Sequence, residues 1–436
     1  MDFIKKNYKF LFIFLLCFVI IFLFNAHFYD GLTQYGMAHA IVMGEVPYID
    51  YNMVTTPLFV FLHAIFLIIY DSYLTYTIIN SIISVLIFYY AEKIIGKHFI
   101  TYFLIALIPM FDALCPSYNL LSKMLLMIII YFEKENKSDF SIGILIGLLI
   151  LTKHSVGVCI LLCSLLYRRN LKGCINRIKG VLIPCLIFFI YLLITRSLYN
   201  FIDLAILGLF DFGDKNVFNS KFFILLFIIL AIMGIIDLIK GKEEYKYITW
   251  YAIGSLSFMI PIFDMNHAAC TVLFFLLLLF AKKEIPIRYG LFNTFLVGLL
   301  CFFTYRFIVS YYTPFYIFNY NHIPFYISSL KHYDEVLDYY DNKYPNSYMI
   351  DINGVFYDIV LDRKISYLDI PLTGNYGHRG VLTVQEKLED DAYYFISKYD
   401  AKKLIYQFDN DLCDYVIEHS ELVDEVGIYN IYHFKR

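Results

Sequence analysis

Charge is scarce in this 436-residue chain: Asp, Glu, Lys and Arg make up 17%, where an ordinary soluble domain carries about 25%. That shortage excludes a chain that keeps most of its surface in water. A basic excess is missing as well, with 35 Lys and Arg against 38 Asp and Glu and a net charge of −3, so the composition offers no footprint for nucleic acid or for a purely electrostatic membrane-surface role. Cysteine pairing is absent from the pattern: of Cys17, Cys115, Cys159, Cys163, Cys174, Cys185, Cys270, Cys301 and Cys413, only the last falls in a polar stretch. Neither a disulfide framework nor a zinc-type motif is present, and Cys159 and Cys163, four apart on one helix face, read as small packing residues. Small residues suited to a signal-peptidase site are also lacking after the first apolar run, where Asn25-Ala26-His27 follows. The run is therefore expected to be an uncleaved first span.

What is present is apolar, at 60% hydrophobic residues, arranged in repeated runs. The reading is a polytopic α-helical membrane protein with about 11 transmembrane helices. The runs lie near 9–27, 73–95, 99–113, 117–132, 140–152, 155–167, 179–196, 221–239, 248–263, 267–281 and 290–309. A further run, "PLFVFLHAIFLIIY" at 57–70, would be about 21 Å long as a helix against roughly 30 Å of hydrocarbon, and is expected to lie at the interface. If 57–70 does not cross, Lys5, Lys6, Lys9, Lys93, Lys97, Lys134, Lys137, Arg168, Arg169, Lys172, Arg177, Lys179, Lys240, Lys242, Lys246, Lys282, Lys283 and Arg288 share one side. The other keeps Lys153, Arg196, Lys215 and Lys221. The positive-inside rule then puts the N-terminus in the cytoplasm and the C-terminal part outside the plasma membrane.

Near residue 311 the character changes to interleaved Lys, Asp, Asn and Tyr. Residues 1–310 are expected to form the membrane domain, with an outer loop at 28–72, and residues 311–436 a small α/β extracytoplasmic domain. In the tail, "SYMIDI", "ISYLDI", "AYYFIS" and "VGIYNIYHF" read as strands, and 328–343, 353–362, 380–390 and 408–420 as helices. "GNYGHRG" at 374–380 lacks the strand–turn–helix setting of a dinucleotide fingerprint and reads as a turn-rich loop.

The stretch "YDGLTQYGMAHAIVMGEVPYIDYNMVTTP", 29–57, carries Asp30, Glu45 and Asp50 and no Lys or Arg. Its 31–43 part reads as an amphipathic helix lying on the membrane, with Gln34, His39 and Glu45 in water. On the expected topology, Asp112, Ser117 and Asn119, then Lys153 and His154 in "LTKHSVG", then Asp264, Asn266 and His267 in "FDMNHAA" all fall on the same outer side. Ionisable residues tucked against spans usually face a protein interior or a wet cavity.

An Asp at the outer end of the first span, a lying helix, "GEVPYIDY" and "TPL" before a short apolar helix resemble the first outer loop of the GT-C membrane glycosyltransferases. That superfamily includes the protein O-mannosyltransferases and the lipid A aminoarabinose transferases. "GLLILTKHSVG", "FDMNHAA" and "DIPLTGNYGHRG" are similar to further segments of its bacterial members. The resemblance implies inverting transfer of a sugar from a polyprenyl-phosphate donor, on the outer face of the bilayer, to a glycan, lipid or protein acceptor. It implies a catalytic role for Asp30, with Asp50 or Glu45 as a second carboxylate, since Gly31 follows Asp30 where many relatives have Glu. Lys153, His154, His267, Asp264, Tyr48 and Glu45 become substrate-binding candidates. Some relatives use a divalent metal ion, and Asp30, Asp50, His39 and His267 include suitable ligand types; no other cofactor is implied.

Other readings stay open on the residues alone. Asp30 can cap the helix that follows it, Lys153 can snorkel from a helix end, and Asp264 and His267 can satisfy helix termini. A transporter or flippase of lipid-linked sugars, or a non-catalytic cell-envelope scaffold, are the competing functions. No second copy of the 30–57 pattern favours the internal repeats common in transporters.

Overall fold

The structure is a computed structural model and describes residues 2–24, 29–96, 116–208, 210, 221–260, 262–282, 316–328, 332–351, 354–366, 368, 376–380, 385–398 and 410–435. In chain order its longer elements begin with α1 Asp2–Phe24, α2 Tyr29–Val42, α3 Leu58–Leu67, α4 Tyr73–Ile95, α5 Tyr118–Lys134, α6 Asp139–Ile150, α7 His154–Arg168 and α8 Leu171–Ile194. Then come α9 Leu198–Phe201, which runs into a π-turn over Ile202–Leu207, α10 Lys221–Lys240, α11 Lys246–Ser255 and α12 Met265–Lys282. The last third holds β1 Tyr316–Tyr320, β2 Ile323–Ser328, α13 Tyr333–Asp338, β3 Ser347–Ile350, α14 Gly354–Val360, β4 Ala392–Ser397, α15 Asn410–Glu418, β5 Ser420–Val426 and β6 Tyr429–Phe434.

Among the described residues four helices are long and apolar enough to cross a membrane: α4, α8, α10 and α12. Shorter apolar helices fall at three further expected positions, 9–27, 140–152 and 155–167, the last two as α6 and α7. The expected spans at 99–113 and 290–309 lie outside the described residues. The 57–70 run forms only the ten-residue α3, about 15 Å long.

The chain divides into two compact units that are not contiguous in sequence. The first takes residues up to Phe24, Thr77–Phe188 and Asn219–Pro314; the second takes Asn25–Tyr76, Phe189–Phe218 and Phe315–Arg436. The first unit is a helical assembly in which α6 and α8 approach closely at glycines. A Cβ on Gly143 would sit 2.1 Å from the Arg177 carbonyl oxygen, and one on Gly147 would sit 2.5 Å from Pro184. At one end of these helices the Arg177 side chain, 1% exposed, pairs with Glu133 at 2.6 Å and Asp139 at 2.9 Å. Tyr251 donates to the same Glu133 at 2.6 Å, so α5, α6, α8 and α11 are tied by a buried charge network whose members satisfy one another.

The second unit places the 25–76 loop with the tail. Its four-stranded sheet has the order β3-β4-β6-β5, with β3 parallel to β4 and the other pairs antiparallel. Met349, Phe395 and Ile431 fill the sheet's core together with Leu412 and Val416 of α15. β1 and β2 form a separate hairpin. "AYYFIS" and most of "SYMIDI" are strands as expected, while "ISYLDI" is not a strand at any of its described positions. The segment β5, rich in acids, pairs with β6 instead. The described part of "GNYGHRG", 376–380, is turn as expected.

The reading of 31–43 as a surface helix is overturned. Every residue from Gly31 to Ala40 is buried, including Gln34 and His39, and Glu45 beyond it is buried too. The cause is Gly36, which lets α14 come so near that a Cβ there would sit 2.3 Å from Val355 Cγ1. The tail covers the face that the sequence pattern assigns to water.

Candidate functional site

In the first unit, α6 ends at Leu151 and α7 restarts at His154, so Lys153 caps the new helix in extended geometry with φ −149°. Thr152 closes the preceding turn by donating to the Leu148 carbonyl at 2.8 Å. The Lys153 ammonium, 8% exposed, donates to Asn119 Oδ1 at 2.9 Å. It also lies over the rings of Tyr118 and Phe258 at 5.4 and 5.3 Å. Asn119 is held in the first turn of α5, whose cap is Ser117.

Asp264 stands at the start of α12, its Oδ1 accepting the His267 backbone N–H at 2.8 Å and lying 2.8 Å from His267 Nδ1. Burial pushes its carboxyl pKa up, but the hydrogen bonds and charge of His267, joined by Lys153, outweigh this and leave it below the ordinary value. Lys153, Asp264 and His267 thus lie near one another, at the N-terminal ends of α7 and α12. Asn119 joins them. The two ring nitrogens of His154, next along the chain, are buried without a hydrogen-bond partner. A cation and the positive ends of helices at one place favour an anion.

In the second unit the loop after α2 is tightly wound. Tyr48 has φ 70°, a left-handed conformation unusual for a bulky residue. Its ring is fully buried and its hydroxyl donates to the Thr55 carbonyl at 2.7 Å. Asn200 donates to the Tyr48 carbonyl at 2.9 Å and Lys387 to the Ile49 carbonyl at 3.0 Å, holding the turn from outside. The Asp50 carboxylate is exposed and accepts the Val46 N–H at 2.6 Å.

Glu45 is 6% exposed and its Oε2 has no hydrogen-bond partner. Burial first, and the Asp50 charge next, push its pKa up to about 7; Lys364 and the Ile365 N–H act in the opposite direction without cancelling this. A carboxyl that titrates near neutrality can both take and return a proton. Asp30 lies in the first turn of α2, and its side chain lies outside the described part.

A third cluster, also in the second unit, was not read from the sequence. His39 Nδ1 lies 2.5 Å from Asp71 Oδ2, and Tyr35 donates to Asp71 Oδ1 at 3.0 Å. His322, at the turn between β1 and β2, places its Nδ1 2.9 Å from the Asp71 carbonyl oxygen and its Nε2 against the Asp362 carboxylate. The two imidazole rings are 4.9 Å apart. Asp71 and His322 carry no local signal, since each sits in an ordinary turn and they are 251 residues apart.

No protein-family model, curated protein or solved structure matches this chain.

Proposed function

We propose that this chain is a membrane glycosyltransferase of the GT-C kind, moving a sugar from a polyprenyl-phosphate donor to an acceptor outside the plasma membrane. The observation that carries the reading is the meeting of Lys153, Asn119, Asp264 and His267, from separate helix connections, at one end of the first unit's helices. Lys153 and the helix N-termini suit a lipid-linked phosphate, because a leaving phosphate needs positive charge that is fixed before reaction. The charge bias of the loops supports reading this as the outer end and the Arg177 end as the cytoplasmic one.

The acid–base work falls to the anionic loop. Asp30 remains the first candidate for the base, by resemblance. Of the two candidates for the second carboxylate, Glu45 is favoured: Asp50 already accepts the Val46 N–H, whereas Glu45 keeps one oxygen unengaged and a pKa near 7. A positioned base of this kind is worth about 10²- to 10⁴-fold.

The test is transfer of radiolabel from polyprenyl-phosphate sugars to envelope material in membranes holding matched amounts of wild type, Lys153→Ala or Asp30→Asn. Loss of one labelled product in both variants, with insertion unchanged, supports the proposal. Equal labelling in all three would remove both residues from the chemistry and favour transport or scaffolding.

A further inference from the structure

We infer that His39, Asp71 and His322 form a binding site for one zinc ion, which clamps the 25–76 loop to the tail hairpin within the second unit. The inference does not depend on the glycosyl-transfer reading, with which it shares only His39. One nitrogen from each imidazole and one Asp71 carboxylate oxygen lie within 4.8 Å of one another. Ligand atoms around a tetrahedral zinc, each about 2.0–2.2 Å from the ion, are roughly 3.3 Å apart, so small side-chain rotations suffice to close the set.

The deciding detail is His39. It is 1% exposed, and its Nδ1 lies 2.5 Å from Asp71 Oδ2, so an ion that takes this nitrogen and this oxygen together needs the two atoms to part by only about 0.8 Å. Neutral imidazole is among the commonest zinc ligands.

The surroundings match what metal ligands need. Tyr35 holds the Asp71 carboxylate by a hydrogen bond. His322 has an oxygen on each ring nitrogen, the Asp71 carbonyl at one and the Asp362 carboxylate at the other. With Nδ1, the nitrogen on the Asp71 side, turned to the ion, Nε2 stays oriented by the Asp362 carboxylate, which is the usual support for a ligating histidine. Two imidazoles with one carboxylate favour zinc over calcium or magnesium, which prefer all-oxygen sets. Three protein ligands leave a fourth position open to water or another small group.

The experiment uses the full chain purified in detergent, stripped with chelator and titrated with Co2+ as a spectroscopic stand-in and with Zn2+. Wild type is expected to take up one equivalent, with the visible d–d absorption of a low-coordinate Co2+ site, and to unfold at a lower temperature after chelation. His322→Gln, at a hairpin turn, is expected to weaken binding by well over tenfold while circular dichroism stays unchanged. Asp362→Asn provides a second arm if that variant folds poorly: its side chain is exposed, Asn tolerates the positive φ there, and loss of an orienting carboxylate costs about 10- to 100-fold in affinity. Failure of the folded wild type to bind one equivalent, or unchanged affinity in the folded variant, would overturn the inference.

Discussion

Replacing Glu45 by Gln tests the electrostatics of the anionic loop most directly. The folded pKa of about 7 lies above the free value of 4.5, a shift worth about 3 kcal/mol at 1.36 kcal/mol per unit. The sign follows from which state holds the proton more tightly. The folded state does, so stability is fully present below about pH 4.5, declines as pH rises and is lost once pH passes about 7. Gln keeps an acceptor for the Ile365 N–H and never ionises. Glu45→Gln is therefore expected to remove that decline and to be more stable than wild type at pH 8 by up to about 3 kcal/mol, or several degrees in midpoint. The assay is thermal unfolding in detergent at half-unit steps from about pH 5 to pH 8.5, with the difference between the two proteins plotted against pH. Asp50→Asn removes the second cause of the shift and should move the decline of an intact Glu45 to lower pH. A difference that stays flat across the range would refute the reasoning, since burial of Glu45 would then carry no ionisation cost. If Glu45 also takes the acceptor proton, the same variant should lose about 10²- to 10⁴-fold in transfer at pH 7.

Two further perturbations probe the packing of each unit. Gly36→Ala puts a methyl 2.3 Å from Val355 Cγ1, on a stiff β-branched side chain, and is expected to cost about 1–3 kcal/mol; a lower unfolding midpoint and faster proteolysis of the 25–76 loop would register it. Arg177→Met leaves Glu133, 7% exposed, with Tyr251 but no cation, while Asp139 keeps Arg168. The expected loss is about 3–5 kcal/mol, and adding Glu133→Gln should recover part of it, so that the double variant falls short of the sum of the singles.

The legible parts of the fold were those with a dense local signal. The run 73–95 is helical from Tyr73 to Ile95 and "AYYFIS" is a strand from Ala392 to Ser397, because continuous apolar stretches of those lengths leave little choice. The break at "LTKHSVG" was legible too, since a lysine inside an apolar run forces a helix end. β5 was missed for the opposite reason: "SELVDEV" is acidic and pairs along one edge only, so exposed Leu422 and Val423 carry no alternation. "ISYLDI" has the composition of a strand, yet β3, β4 and β6 pair with one another and the described positions of "ISYLDI" join none of them. Instead its Ile365 is buried beside Gly36 of α2.

The chemistry of the loop was half legible, and the missing half has one cause. Asp30, Glu45, Asp50 and His39 are conspicuous because no Lys or Arg interrupts them, but their surroundings come from residues far along the chain. Gly36 admits α14, Asp71 engages His39 and Tyr35, Ile365 reaches Glu45, and Lys387 holds the Ile49 carbonyl. A pattern that mixes Leu32, Tyr35 and Met37 with Gln34 and His39 looks amphipathic only if one face meets water. Here both faces meet protein, so the polar residues are there to be satisfied or to bind. Burial by the tail is what raises the Glu45 pKa towards neutrality and what leaves His39 Nε2 without a partner. An acid poised near pH 7 and an open imidazole nitrogen are therefore properties of the loop and tail together, and removing the tail should abolish both even where the loop sequence is intact.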